Sequence, residues 1–139
     1  MESRNRKLVI AATVATATLI GTSGVIVAQG MKVGELKDLY AWVNKMPPGP
    51  ASINAIGKIT APTPCYEALA DYAGDSKSNP PIYRVKVTLH LQQPPGVMCI
   101  QRLTDIQFRY RQPNYVGNHE KMEIFSDQDS KTIPIESVQ

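Results

Sequence analysis

"PPIYRVKVTLHLQ", from Pro80 to Gln92, alternates strictly over ten residues. Tyr83, Val85, Val87, Leu89 and Leu91 fall on one parity; Arg84, Lys86, Thr88, His90 and Gln92 fall on the other. A period of two over that length is a β-strand with one face buried and one wet. Downstream, "CIQRLTDIQFRYR" repeats the pattern, with Ile106, Phe108 and Tyr110 set against Gln107, Arg109 and Arg111. Its first part is out of phase, which predicts a bulge near Leu103 or Thr104. Upstream, "INAIGKITA" carries Ile53, Ala55 and Ile59 on one parity, and "CYEALADYA" reads as a weaker strand. "YVGNHEKMEIFS" and "KTIPIESV" supply two more, joined by a hairpin turn at "DQDS". Pro134 inside the last run predicts an edge strand. About six strands at intervals of roughly ten residues predict an all-β domain over residues 51–139. The expected form is a small antiparallel β-sandwich, immunoglobulin-like or similar.

Composition agrees with a folded domain. The chain has 139 residues, 42% hydrophobic and 19% charged, with 11 prolines and 9 glycines. That length predicts one domain, and the Pro and Gly content predicts many turns. The net charge is only +3, and much of it sits in "MESRNRK", where Arg4, Arg6 and Lys7 outnumber Glu2. Nucleic acid needs a clustered basic field, so it is not an expected partner.

No charge follows Lys7 until Lys32. Basic residues before an apolar run are the arrangement of an export signal. Residues 1–30 therefore read as a signal peptide or a transmembrane anchor. As a signal, Leu8–Ile20 is the apolar region, and "AQG" (Ala28–Gly30) is the best of several small-residue cleavage sites. As an anchor, the run is long enough to span a bilayer, and the basic residues place its N-terminus in the cytoplasm. Either way the rest of the chain is exported. It is periplasmic, or held on the inner membrane with the domain facing the periplasm.

Residues 31–50 read as a short amphipathic helix and a Pro/Gly linker. Val33, Leu36, Leu39, Tyr40, Val43 and Met46 follow helical spacing in "MKVGELKDLYAWVNKM", and "PPGP" at Pro47–Pro50 stops the run. The helix would lie on a membrane surface, or pack on the domain as a stalk.

Two cysteines, Cys65 and Cys99, each begin a strand just after a proline-containing turn. A redox pair would be written Cys-x-x-Cys, and zinc would want four ligands. In an exported domain the expected outcome is a Cys65–Cys99 disulfide.

Catalytic signatures do not emerge. The sequence contains no Gly-x-Ser-x-Gly elbow, phosphate loop or dinucleotide fingerprint. Glu67 and Asp71, or Glu120 and Glu123, do not face each other at strand spacing, so no acid–base pair is expected. "DQDSK" lacks the glycine and distant glutamate of a calcium loop. His90 and His119, with Met98, Met122, Glu120 or Asp105, could hold copper only if the fold brought them together. No metal, cofactor or catalytic residue is expected. Arg84, Lys86, Arg109 and Arg111 share the outward parity of two strands read as neighbours. They form a candidate basic strip for an acidic protein, a lipid headgroup or an anionic polymer.

"GKITAPTPCY", then "PPGVMC", a tyrosine-bearing strand and a closing "IPIE" resemble a group of small exported bacterial proteins of unknown function. The resemblance implies an N-terminal signal or anchor and one compact β domain. It assigns no catalytic or binding residue. The expected function is a non-enzymatic binding or interaction module of the envelope. The alternatives are a small inhibitor of a secreted enzyme, acting through the loop "QQPPGVM", and a periplasmic copper-binding domain. Intact-mass analysis of the protein from its host checks the leader and the thiols together. The expected mass is that of a chain with both cysteines oxidised.

Overall fold

The alternating stretch forms a strand, Tyr83–Leu91, in a computed structural model that describes residues 31–139. It is β4 in a series of seven: β1 (Leu36–Asn44), β2 (Ser52–Ala61), β3 (Tyr66–Asp75), β4, β5 (Thr104–Gln112), β6 (Lys121–Phe125) and β7 (Ser130–Val138). Among the described residues there is no helix. The candidate leader or anchor lies outside them.

The expected amphipathic helix over residues 31–50 is a strand instead. β1 pairs antiparallel with β2, and the register slips between Lys37 and Tyr40 around Asp38, whose φ is 52°. One extra residue there turns a spacing of two into a spacing of three. Leu36, Leu39, Ala41 and Val43 therefore all contribute to one core while imitating a helical stripe. Tyr40 and Met46, counted on that stripe, are exposed. Pro47–Pro50 lie in the turn of the β1–β2 hairpin rather than capping a helix.

The strands form one sheet in the order β3-β4-β6-β7-β1-β2-β5. The two end strands, β3 and β5, come back against each other, so the sheet is nearly closed. Two pairings, β1–β7 and β4–β6, are parallel. The expectation of an antiparallel sandwich is therefore corrected to a single curled sheet of mixed pairing. Pro134 is not on an edge. β7 pairs with β6 through Ser130–Pro134 and with β1 through Ile135–Val138. The Ile135 N–H donates to the Glu120 carbonyl at 2.9 Å on the β6 side. The Pro134 nitrogen thus faces β1, at the point where that ladder has not yet begun, and no donor is missed. The bulge expected near Leu103 or Thr104 is absent too. β5 starts at Thr104 and pairs with β2 without a shift, and the out-of-phase residues are loop.

The core lies inside the curl. Ile53, Ala55 and Ile59 of β2 meet Val85 and Val87 of β4, Phe108 of β5, and Met122 and Ile124 of β6. Each large side chain buried there contributes about 1.5–3 kcal/mol. Gly57 continues the inward parity of β2. A Cβ at Gly57 would stand 2.5 Å from Leu39 Cδ2 and 2.8 Å from Phe108 Cζ, so the glycine makes room for both side chains. The β6–β7 turn fastens the start of β1. Asp129 Oδ2 accepts the Leu36 N–H at 2.9 Å, and the Ser126 hydroxyl donates to the Gly34 carbonyl at 2.7 Å. The Gln128 side chain covers Gly34, whose φ of 88° and lack of space both exclude a side chain.

Following strand directions round the row makes β3 and β5 parallel at the seam. Ala68 and Ala70 on the inward parity of β3 keep that side thin. At the starting end of both strands, Cys65 and Cys99 are joined in a disulfide with their Cα atoms 6.2 Å apart. The expected bridge is present, of a kind that persists in oxidising compartments. It closes a sequence separation of 34 residues. On the chain-entropy argument it contributes about 3–4 kcal/mol. The paired Cys65→Ala, Cys99→Ala variant should lose that much in urea denaturation, with most amide protection lost on β3. An unchanged midpoint would show that the seam holds without the bridge.

Candidate functional site

The four residues of the candidate basic strip do not come together. β4 sits between β3 and β6, and β5 lies beyond β3 across the seam. On β4, Arg84 pairs in register with Glu123; its Nε donates to Oε1 at 2.9 Å, and its guanidinium lies 4.7 Å from the Phe125 ring centre. The Glu123 carboxyl is held below its ordinary range by the Ser130 hydroxyl and by Arg84, against burial. Lys86 Nζ stands 3.4 Å from Asp127. On β5, Arg109 lies opposite Ile56 and Arg111 opposite Asn54. Arg109 borders a depression of about 520 Å³ with Lys58 and Gln107, and there Lys58 is paired with Asp38 at 3.5 Å. The β4 half of the strip is thus already paired.

The two histidines are also apart. His119 packs edge-on against Tyr83 at the start of β4, with ring centres 5.1 Å apart. His90 lies near the end of that strand, bonded to Thr88 at 3.1 Å. At about 3.3 Å per residue the separation is roughly 20 Å, so a shared copper site is excluded.

What the fold does assemble is a ring of tyrosines at one mouth of the curled sheet. Tyr72 ends the inward face of β3, Tyr83 begins that of β4, and Tyr110 lies near the end of that of β5. The loop before β6 adds Tyr115 and His119. Tyr83 is the hub. It packs against Tyr72 (4.6 Å between centres), Tyr110 (6.1 Å) and Tyr115 (6.2 Å), and its hydroxyl meets that of Tyr110 at 2.6 Å. Burial pushes the Tyr83 and Tyr110 phenols up.

A relay of polar groups fixes the outer rings. The Tyr72 hydroxyl donates to Asp75 Oδ1 at 2.7 Å, and His119 Nε2 meets Asp75 Oδ2 at 2.9 Å. The Tyr115 hydroxyl accepts the His119 backbone N–H at 2.9 Å, which leaves its own proton for His119 Nδ1 at 2.7 Å. A neutral imidazole protonated on Nε2 satisfies every contact. Both ring nitrogens are then engaged, Nδ1 by the Tyr115 hydroxyl and Nε2 by the Asp75 carboxylate. Burial raises the Asp75 carboxyl, but the hydrogen bonds from Tyr72 and His119 outweigh it and hold the group below its ordinary value. The Tyr72 phenol is pushed up to about 12, first by its bond to Asp75. An open depression of about 370 Å³ lies over these rings, bordered by Gln112 and Asn114.

A second feature occupies the opposite end, beside the disulfide. The loop between β4 and β5 turns at Pro94–Val97, where the Val97 N–H donates to the Pro94 carbonyl at 3.2 Å and Gly96 has a φ of 80°. Proline followed by glycine with positive φ suits a type II turn. Beyond it Met98 is 91% and Ile100 66% exposed, with Val97, Leu91 and Leu103 also open to solvent. The Cys99 bridge ties this loop to the start of β3.

The loop is the "QQPPGVM" stretch that the sequence already offers as a contact element, whereas the tyrosine mouth is not legible there. Tyr83 and Tyr110 read as core from their parity, and nothing local to "ADYAGD" or "PNYVGNH" states that both stretches return to Tyr83. The strand order carries that information. The Asp75 linkage has a definite sign. Its depressed carboxyl supplies stability above the ordinary carboxylate range, lost as pH falls through the folded value. The raised Tyr72 phenol supplies stability below the ordinary phenol range, lost as pH rises through about 12. Asp75→Asn should flatten the acid limb of a denaturation-versus-pH profile by about 0.5–1 kcal/mol. In near-ultraviolet titration it should also move one tyrosine back toward the ordinary range. A parallel-shifted profile with unchanged tyrosine titration would contradict the relay.

No family model, curated protein or solved structure matches the chain, so the functional reading stands on its own residues.

Proposed function

We propose that this chain is a non-enzymatic binding module of the bacterial envelope. In this reading residues 1–30 export or anchor it, and its contact element is the loop from Gln92 to Leu103. One observation carries the reading: Met98 stands 91% exposed on a segment fixed by a turn on one side and a disulfide on the other. An apolar tip held in place loses little freedom on docking, so more of its burial appears as affinity. The disulfide supports an exported location. The paired state of Arg84 and Lys86 shifts the contact away from the basic strip. The same loop geometry favours one second reading, an inhibitor whose rigid tip enters the cleft of a secreted enzyme.

The test is photo-crosslinking in envelope extracts, with the full chain carrying the crosslinker at Gln93. Met98→Asp should weaken capture of the specific partner about tenfold or more, since an apolar side chain of that size is worth about 1.5–3 kcal/mol when buried. Reversing the charges of Arg84, Lys86, Arg109 and Arg111 should leave capture in place. The opposite pattern would return the contact to the sheet wall. If the captured species is a hydrolase whose rate falls on binding, the inhibitor reading replaces the general one.

A further inference from the structure

We infer that the tyrosine mouth is a binding site for a neutral saccharide, with Tyr72 as the stacking platform and Gln112 and Asn114 as the hydroxyl-reading rim. The site lies at the opposite end from the Met98 loop and does not depend on it. Mouths of curled sheets are recurrent ligand sites, and this one carries a shallow, open depression of about 370 Å³ over aromatic rings.

The chemistry of the lining selects the ligand. Tyr72 is 48% exposed while one side of its ring rests on Tyr83, 4.6 Å away between centres. It offers a supported, half-open aromatic surface. The relay through Asp75 and His119 holds it and Tyr115 in place before any ligand arrives. The apolar face of a pyranose stacks on such a ring, as flat apolar surfaces do. At the rim, Gln112 and Asn114 present carboxamides, which both donate and accept and so match hydroxyl groups. Among the described residues, those bordering the space include no Lys, Arg, Asp or Glu, which speaks against a phosphate or a carboxylate ligand. A quaternary ammonium group wants several ring faces around one gap. Here Tyr72 and Tyr83 pack against each other with their planes tilted by 36°, and the nearby Asp75 carboxylate is occupied by Tyr72 and His119.

The full chain, isotope-labelled and free of glycosidic detergent, is titrated with cellotriose, maltotriose and triacetylchitotriose. Choline and adenosine serve as counter-probes. At least one trisaccharide should saturably shift the Tyr72, Tyr115 and His119 ring signals and the Gln112 and Asn114 side-chain amides. Tyr72→Ala should weaken that binding about tenfold, whereas Tyr72→Phe, which keeps the platform and drops the bond to Asp75, should cost no more than about threefold. Gln112→Ala, on an exposed strand end, should weaken it without moving core signals, and it decides the matter if Tyr72→Ala fails to fold. The inference is overturned if no saccharide shifts these signals, if the shifts survive both alanine variants, or if only a counter-probe produces them.

Discussion

Closing the gap between β3 and β5 is the constraint on which the rest of the structure depends. A curled sheet of seven strands ends in two unpaired edges, and each edge is a row of backbone donors and acceptors that would otherwise template a neighbour. Here the edges run parallel and are fastened at both ends by different chemistry. At their beginnings a covalent bridge joins Cys65 to Cys99. At their far ends the rings of Tyr72 and Tyr110 converge on Tyr83, and the Tyr83 and Tyr110 hydroxyls meet at 2.6 Å. Between these points the inward side of β3 carries alanine, which lets the strand sit close. The two features with functional promise, the apolar loop and the tyrosine mouth, are extensions of these two fasteners.

That arrangement separates the wall of the sheet from its ends. The outward basic residues of β4 are paired: Arg84 with Glu123, and Lys86 with Asp127. Such exposed pairs add little stability, about 0–1 kcal/mol each, but they remove the field that a basic strip would need. The ends differ. One presents methionine, isoleucine and valine to water, and the other presents aromatic rings with carboxamides at the rim. Exposed apolar side chains are informative where they cluster, and Leu91, Val97, Met98, Ile100 and Leu103 are all exposed within one stretch of chain.

Much of the wall was legible in the sequence, and little of the ends was. The strict alternation of Tyr83–Leu91 and of Ile106–Tyr110 predicted two strands and their buried faces, because a half-buried sheet imposes that period. The cysteine pair was legible because two cysteines spaced for neither a redox motif nor a zinc site have few other uses than a bridge. β1 was misread for a physical reason: the extra residue at Asp38 disguised a strand as a helical stripe. Pro134 was misread because a proline needs only an unpaired nitrogen, and a strand that changes partners supplies one as well as an edge does. The basic strip assumed that strands alike in pattern are neighbours. Strand order is set by long-range closure, which no local pattern states.

The same long-range closure explains why the tyrosine mouth is rigid although its parts come from loops and strand ends. Asp75 ties two of the outer rings together: it holds Tyr72 from within β3, past a bulge, and His119 across a sequence separation of 44. Tyr115 is fixed in turn, since its backbone N–H donates to the Ala51 carbonyl at 2.8 Å beside β2. The β1–β2 hairpin, the end of β3 and the approach to β6 therefore share one small network. Loosening any of them would release the rings together, and a ligand would then have to order them at its own expense. A fold that spends three segments on orienting tyrosines already packed against the core gains little stability from the arrangement. What it gains is a surface whose shape is set before anything binds.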